Sequence, residues 1–292
     1  MKKRIIISAY LKNDKNKYGK LFGLDVYKSL YKIDELEIIE IKKSHKNNVW
    51  CRDYMPIKRT DGQLVQFRYS PGYMTASEKW KKCLAVARDI HKELKIRAIP
   101  SNIIMDGGAI EVLGDQAIVS DRVLRDNSPK NKYEVLAEIK DKLKLDRLIV
   151  APEYPYDFTG HIDGIVRFID SDTVLINDDP LPEKKRKPKN FYKGKLLEQW
   201  HYSFQMVFAN VGLKVKTIPM TQFIDGRGKE HLGLYINFLK LDDLIIMPSF
   251  ERKQDDLAAE KLEDFFKKKV IKVNSKKLAP EGGLINCVTW NA

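Results

Sequence analysis

A thiol, an imidazole, three carboxylates and an amide recur at comparable places in this sequence: Cys287, His161, Asp53, Asp106, Asp163 and Asn237. A cysteine beside a histidine supplies a nucleophile and a proton carrier. Carboxylates around it oppose the thiolate, because like charge raises a thiol's pKa. The set makes chemical sense if the substrate itself brings positive charge. A guanidinium does so: it is planar, permanently cationic, and offers its N–H donors in a fork that carboxylates accept bidentately. Taken singly, an Asp-Gly-Gly reads as a turn, a His-x-Asp as a structural hydrogen bond and an apolar-flanked cysteine as a core residue. Their recurrence is what gives them weight.

That recurrence comes from the elements that must position them. Segments 56–67, 108–119, 164–176, 233–246 and 283–290 share a polar or glycine lead-in, a short β-rich run, an acidic or glycine turn, and a second β-rich run. Thr60-Asp61-Gly62, Leu113-Gly114-Asp115 and Asp170-Ser171-Asp172 read as hairpin turns. The last segment reaches the C-terminal end of the sequence after one strand, and pairing with the strand Arg4–Ser8 would close a ring. Amphipathic helices are expected at 77–94, 133–143, 191–211 and 255–267. The unit is then a ββαβ repeat, and a ring of them leaves no open sheet edge. In this reading His161 and Asp163 share one face of an extended segment, Asn237 lies on the first strand of the fourth hairpin and Cys287 on that of the fifth. No composition shift marks a boundary, so residues 1–292 form a single domain.

Composition narrows the rest. Three cysteines without a CxxC pair exclude a disulfide framework and argue against a thiolate metal site, which fits a cytoplasmic setting. Cys51 and Cys83 read as packing residues. No apolar run approaches the ~18 residues needed to span a bilayer, and the short apolar stretch after Met1–Arg4 reads as a buried strand rather than a signal peptide. The net charge of +13 is unevenly placed: residues 183–195, where seven basic residues meet one acidic residue, hold almost half of it. A solvated loop is the plainer interpretation of that run, and a polyanion-binding loop the other. Arg68, on the second strand of the first hairpin, is a candidate partner for a substrate carboxylate, against the plainer reading of a surface ion pair.

The motifs Trp50-x-Arg52-Asp53, Asp106-Gly-Gly, Gly160-His161-x-Asp163-Gly164-x-x-Arg167-Phe168, Tyr235-x-Asn237-Phe238 and Gly282-Gly283-x-x-x-Cys287-x-Thr289 resemble the agmatine deiminase and bacterial-type peptidylarginine deiminase family of the guanidine-modifying superfamily. The resemblance runs from Trp50 to the end. It implies a five-bladed α/β propeller and a hydrolase of C–N bonds needing neither metal nor cofactor. It implies that Cys287 is the nucleophile and His161 the general acid and base, that Asp53 and Asp163 bind the guanidinium, and that Asp106, Asn237 and Trp50 complete the site. Asp106 stands where the family has glutamate, Asn286 where agmatine deiminases have histidine, and Thr289-Trp290-Asn291 where they have Thr-Gln-Gln. Agmatine, giving N-carbamoylputrescine on the route to putrescine, is the leading substrate. Arginine or peptidylarginine giving citrulline, amidino transfer, and a non-catalytic polyanion-binding propeller are the alternatives. Neither membrane nor nucleic acid is an expected partner. A homodimer is the assembly known among relatives.

Overall fold

Five three-stranded sheets are built to one plan, and in each the middle strand is antiparallel to one neighbour and parallel to the other. The computed structural model describes residues 2–45, 48–84, 87–155, 157–178, 191–225, 228 and 230–291. Strand β1 (Lys3–Ser8) runs parallel to β2 (Leu36–Ile41). The second sheet is β3 (Ile57–Lys58), β4 (Leu64–Arg68) and β5 (Ile99–Ile104). The third is β6 (Ile110–Leu113), β7 (Gln116–Ser120) and β8 (Arg147–Ala151). The fourth is β9 (Val166–Asp170), β10 (Thr173–Asn177) and β11 (Lys214–Ile218). A separate hairpin, β12 (Met220–Ile224) with β13 (Glu230–Leu234), precedes β14 (Leu239–Lys240), β15 (Leu244–Ser249) and β16 (Lys269–Asn274). The last strand, β17 (Thr289–Trp290), pairs antiparallel with β1 through Ile6↔Trp290 and Ile7↔Thr289, so the two ends of the described chain complete one sheet between them.

The hairpin turns follow from their residues. Gly62 and Gly114 sit at φ +81° and +60°, where a side chain would be strained. The parallel neighbours need a crossover, which the helices supply: Leu24–Leu30, Ala87–Leu94, Lys132–Leu143, Phe191–Asn210 and Gln254–Phe266. Asn131 caps one of them by accepting the Tyr133 N–H at 2.9 Å. Strands β7, β10 and β15 are buried at every position. Covered on both faces, they read as continuous runs such as Leu-Ile-Ile-Met rather than as alternating ones.

Several expectations are corrected here. The helix expected over 77–94 is broken into Glu78–Lys81 and Ala87–Leu94. The run Gly233–Phe238 is not one strand: β13 ends at Leu234, pairs with β12, and is followed by a turn that carries Asn237. Asn286 and Cys287 lie in a helical turn, Ile285–Val288, not on a strand. Thr289 holds that turn closed, its hydroxyl donating to the Ile285 carbonyl at 2.7 Å. His161 and Asp163 occupy a bend leading into a turn rather than extended chain. Of the basic run, 183–190 and the side chains of 191–195 lie outside the described residues.

Candidate active site

Short turns precede β3, β6, β9, β14 and β17, and these turns carry the candidate residues. Cys51–Tyr54 is one helical turn that ends at Met55, which takes the extended ψ of 155° expected before Pro56. It presents Asp53. A 3₁₀ turn, Gly107–Ala109, starts after the extended Asp106. His161 is set by an Asp157-Thr159 turn: both Thr159 N–H and its hydroxyl donate to Asp157, which also accepts the His161 N–H at 3.2 Å. Asn237 and Cys287 come from the two turns described above.

The side chains meet in one buried cluster. His161 Nδ1 lies 3.7 Å from Asp53 Oδ1, and Nε2 lies 3.0 Å from Asp106 Oδ2. Cys287 Sγ is 3.5 Å from Asp163 Oδ2 and accepts from Asn237 Nδ2 at 3.3 Å. Gly108 joins the two halves. Its N–H donates to Asp53 Oδ1 at 3.2 Å, and its carbonyl accepts from the N–H groups of Ile162 and Asp163 at 2.9 and 3.2 Å. A Cβ at Gly108 would fall 2.5 Å from His161 Nδ1, so only glycine allows the imidazole this close. Trp50 is half-buried beside them; a Cβ on Gly283 would meet its ring at 2.5 Å and the Cys287 Cβ at 3.0 Å.

Electrostatics follow from this packing. Burial pulls the His161 imidazole down, but Asp53 and Asp106 outweigh it and raise it to about 10, so it is imidazolium at neutral pH. Burial, with Asp106 and Asp163 nearby, raises Asp53 to about 7 despite the imidazolium. Burial, then Asp163 and Asp53, hold the Cys287 thiol well above its ordinary value. Asp106 Oδ1 is buried without a hydrogen-bond partner among the described residues, an acceptor available to a donor-rich ligand. The arrangement can therefore offer carboxylate oxygens to a cation, a sulfur for attack and a proton for a leaving group.

Six of the residues expected from the sequence (Cys287, His161, Asp163, Asp53, Asp106 and Asn237) are joined in this way, with Trp50 at the edge. Asp106 reaches the imidazole in spite of its shorter side chain. Arg68 is not brought in: it is exposed on β4, and its side chain makes no hydrogen bond or ion pair to the cluster among the described residues. Sequence reasoning missed Tyr73, whose hydroxyl donates to Asp106 Oδ2 at 2.7 Å; it lies outside the repeated motifs, and nothing in the sequence marks it. It also gave Asn286 no role, whereas Asn286 Nδ2 donates to Asp163 Oδ2 at 2.8 Å.

A family model for Porphyromonas-type peptidyl-arginine deiminase matches residues 9–292. The chain belongs to this family. Deiminases of this family are hydrolases of carbon–nitrogen bonds in amidines. A Streptococcus mutans protein provisionally named agmatine deiminase is 24% identical over 292 residues, covering 86% of this chain and 75% of its own length. A Shewanella sp. (strain MR-4) protein of the same provisional name is 26% identical over 234 residues, covering 72% of this chain, and the match spans 62% of that relative's length. Among solved structures, the C. jejuni agmatine deiminase aligns with a TM-score of 0.75 at 18% identity over 99% of this chain and 93% of that one, a likeness of mixed α/β fold. No helix among the described residues is long and apolar enough to cross a membrane.

Proposed function

We propose that this protein is a guanidine deiminase that turns agmatine into N-carbamoylputrescine and ammonia. The observation that carries the reading is the Cys287 sulfur, 3.5 Å from the Asp163 carboxylate in the same buried cluster as the Asp53–His161–Asp106 group. A neutral thiol among carboxylates is a poor nucleophile until a cation arrives. The guanidinium docks on Asp53 and Asp163 and its charge favours the thiolate; the thiol proton passes to solvent, since His161 is already protonated, and the Cys287 sulfur attacks the central carbon. His161, already imidazolium, protonates the departing ammonia, leaving an S-alkylthiouronium. Neutral His161 then takes a proton from water as the oxygen attacks the same carbon, and the C–S bond breaks to release the ureido product and the thiol. Proton transfer of this kind is typically worth 10²–10⁴-fold.

Agmatine is preferred over arginine because Arg68, the residue that argued for a substrate carboxylate, stands exposed and outside the cluster. Trp50 and Tyr73 border the cluster with aromatic surface, which suits a second cationic end. The five like-built sheets, with β1 and β17 pairing the chain ends, support a five-bladed propeller whose lead-in turns converge on its axis.

The test is ammonia and ureido release from agmatine, arginine and an arginine peptide, with Cys287→Ala as control. Agmatine is expected to be turned over fastest, the variant to release no ammonia above background, and rapid-quench mass spectrometry to find the amidino adduct on the Cys287 peptide. Equal turnover by the variant removes Cys287 from the reaction.

A further inference from the structure

Arg52, Lys58, Arg167 and Lys240 line one cavity of about 210 Å³, in which Glu111 is the only carboxylate among the described residues. A water in the liquid takes roughly 30 Å³, so the space holds several waters or a small polyatomic ion. The protein leaves the charges there unbalanced. Arg167 Nε faces Glu111 Oε2 at 3.1 Å, and an Nη donates to the Phe238 carbonyl at 2.6 Å. Arg52 has no carboxylate partner among the described residues; it donates to the Asn286 carbonyl at 3.3 Å and the Asn291 side chain at 3.4 Å. Lys240 donates only to the Phe168 carbonyl, at 3.3 Å. Exposed Lys58 makes no ion pair among the described residues.

Arg52, Arg167 and Lys240, drawn wholly or partly below the surface with one carboxylate among them, are costly to desolvate unless an anion offsets them, and exposed Lys58 adds to the same positive excess. Burial pushes both Arg52 and Lys240 below their usual values, as expected for cations short of counter-charge. Guanidinium forks match the oxygen spacing of phosphate, and ammonium groups add point charge. We propose that this cavity binds a small multivalent oxyanion of the phosphate type, held by Arg52, Lys58, Arg167 and Lys240. The site is distinct from the carboxylate-lined cluster, which takes a cation, although Arg52 adjoins Asp53 and Asn286 adjoins Cys287 in the chain.

Calorimetric titration of the full chain with inorganic phosphate, at constant ionic strength set by sodium chloride, tests this. One saturable site is expected. The double variant Lys58→Gln/Lys240→Gln should bind at least ~10-fold more weakly. Glu111→Gln, which removes the cavity's carboxylate and frees Arg167, should bind severalfold more tightly, a gain that mere loss of structure does not produce. Melting curves give a second measurement: phosphate should raise the wild-type Tm with the logarithmic dependence of a single site, and raise that of the lysine variant less. Absence of saturable binding, or equal affinity in wild type and both variants, overturns the proposal.

Discussion

Tyr73 and His161 donate to the same oxygen of Asp106, from 2.7 and 3.0 Å. Burial and the Asp106 charge keep the Tyr73 phenol protonated far above its ordinary range, so it serves as a fixed donor. Its O–H takes up part of the carboxylate's charge and thereby limits how tightly Asp106 holds the imidazolium proton. In Tyr73→Phe the proton is held more firmly. The expected result is a kcat about 10-fold lower at neutral pH, in line with a charge-assisted hydrogen bond worth ~1.5–3 kcal/mol, together with an alkaline limb of kcat/KM moved to higher pH. A packing role alone would lower kcat and leave the limb in place.

In the proposed reaction the active protonation state is the Asp53 carboxylate beside the His161 imidazolium. With Asp53 raised to about 7 and His161 to about 10, kcat/KM is expected to rise through the first value and fall through the second, as macroscopic values of the pair. Stability moves in a defined direction as well. The His161 pKa is raised on folding from 6.5 to about 10, so its contribution is complete below 6.5 and is lost as pH rises through about 10. The Tm advantage of wild type over His161→Gln should therefore shrink between those pH values. An advantage independent of pH across that range would contradict the ion-paired imidazolium.

How much of this could be read from the sequence depends on whether the signal was local. The apolar runs of the middle strands and the turns at Gly62 and Gly114 were legible because such signals act within a few residues, and the pairing of Arg4–Ser8 with the last strand was legible because the final repeat lacks its second strand. The cluster itself was legible through repetition of its lead-ins. The secondary structure of those lead-ins was not. Ile285–Val288 has the β-branched content of a strand but is closed into a turn by Thr289, and Gly233–Phe238 is divided because β13 takes β12 as its partner. These are tertiary hydrogen bonds overriding local propensity. Tyr73 reaches Asp106 across 33 positions of sequence, and periodicity carries no information about such a contact. Arg68 had the right charge on the right hairpin, but its strand turns it to solvent.

Gly108 tests whether the geometry matters as much as the residue types. A Cβ there would lie 2.5 Å from His161 Nδ1 and 2.9 Å from Asp53 Oδ1. In Gly108→Ala the imidazole must shift, and a displacement of about 1 Å is enough to cost ~10²-fold in rate. Stability should fall by only ~1–3 kcal/mol, the usual cost of overpacking. Gly62→Ala makes the contrasting control. At φ +81° with open space around it, that change should cost ~1 kcal/mol and leave kcat/KM unchanged. Steady-state kinetics and melting curves on both variants check the pair. Similar kinetic losses in the two would mean that the Gly108 contact is not specific.

The reactivity of the sulfur separates attraction from repulsion. Asn237 Nδ2 donates to Cys287 Sγ at 3.3 Å and so favours the thiolate, whereas Asp163 Oδ2 at 3.5 Å opposes it. Alkylation by iodoacetamide, followed on the Cys287 peptide by mass spectrometry as a function of pH, reads this balance directly. Asn237→Ala removes the donor and should move the alkylation midpoint upward. Asp163→Asn removes the charge but keeps an acceptor for Asn286 Nδ2, now 2.8 Å from the carboxylate, and should move the midpoint downward. The opposite signs are the informative part. General loosening of the site would expose the sulfur and shift both variants toward an ordinary thiol, so a downward shift in Asn237→Ala would refute the hydrogen bond as a source of thiolate stabilisation.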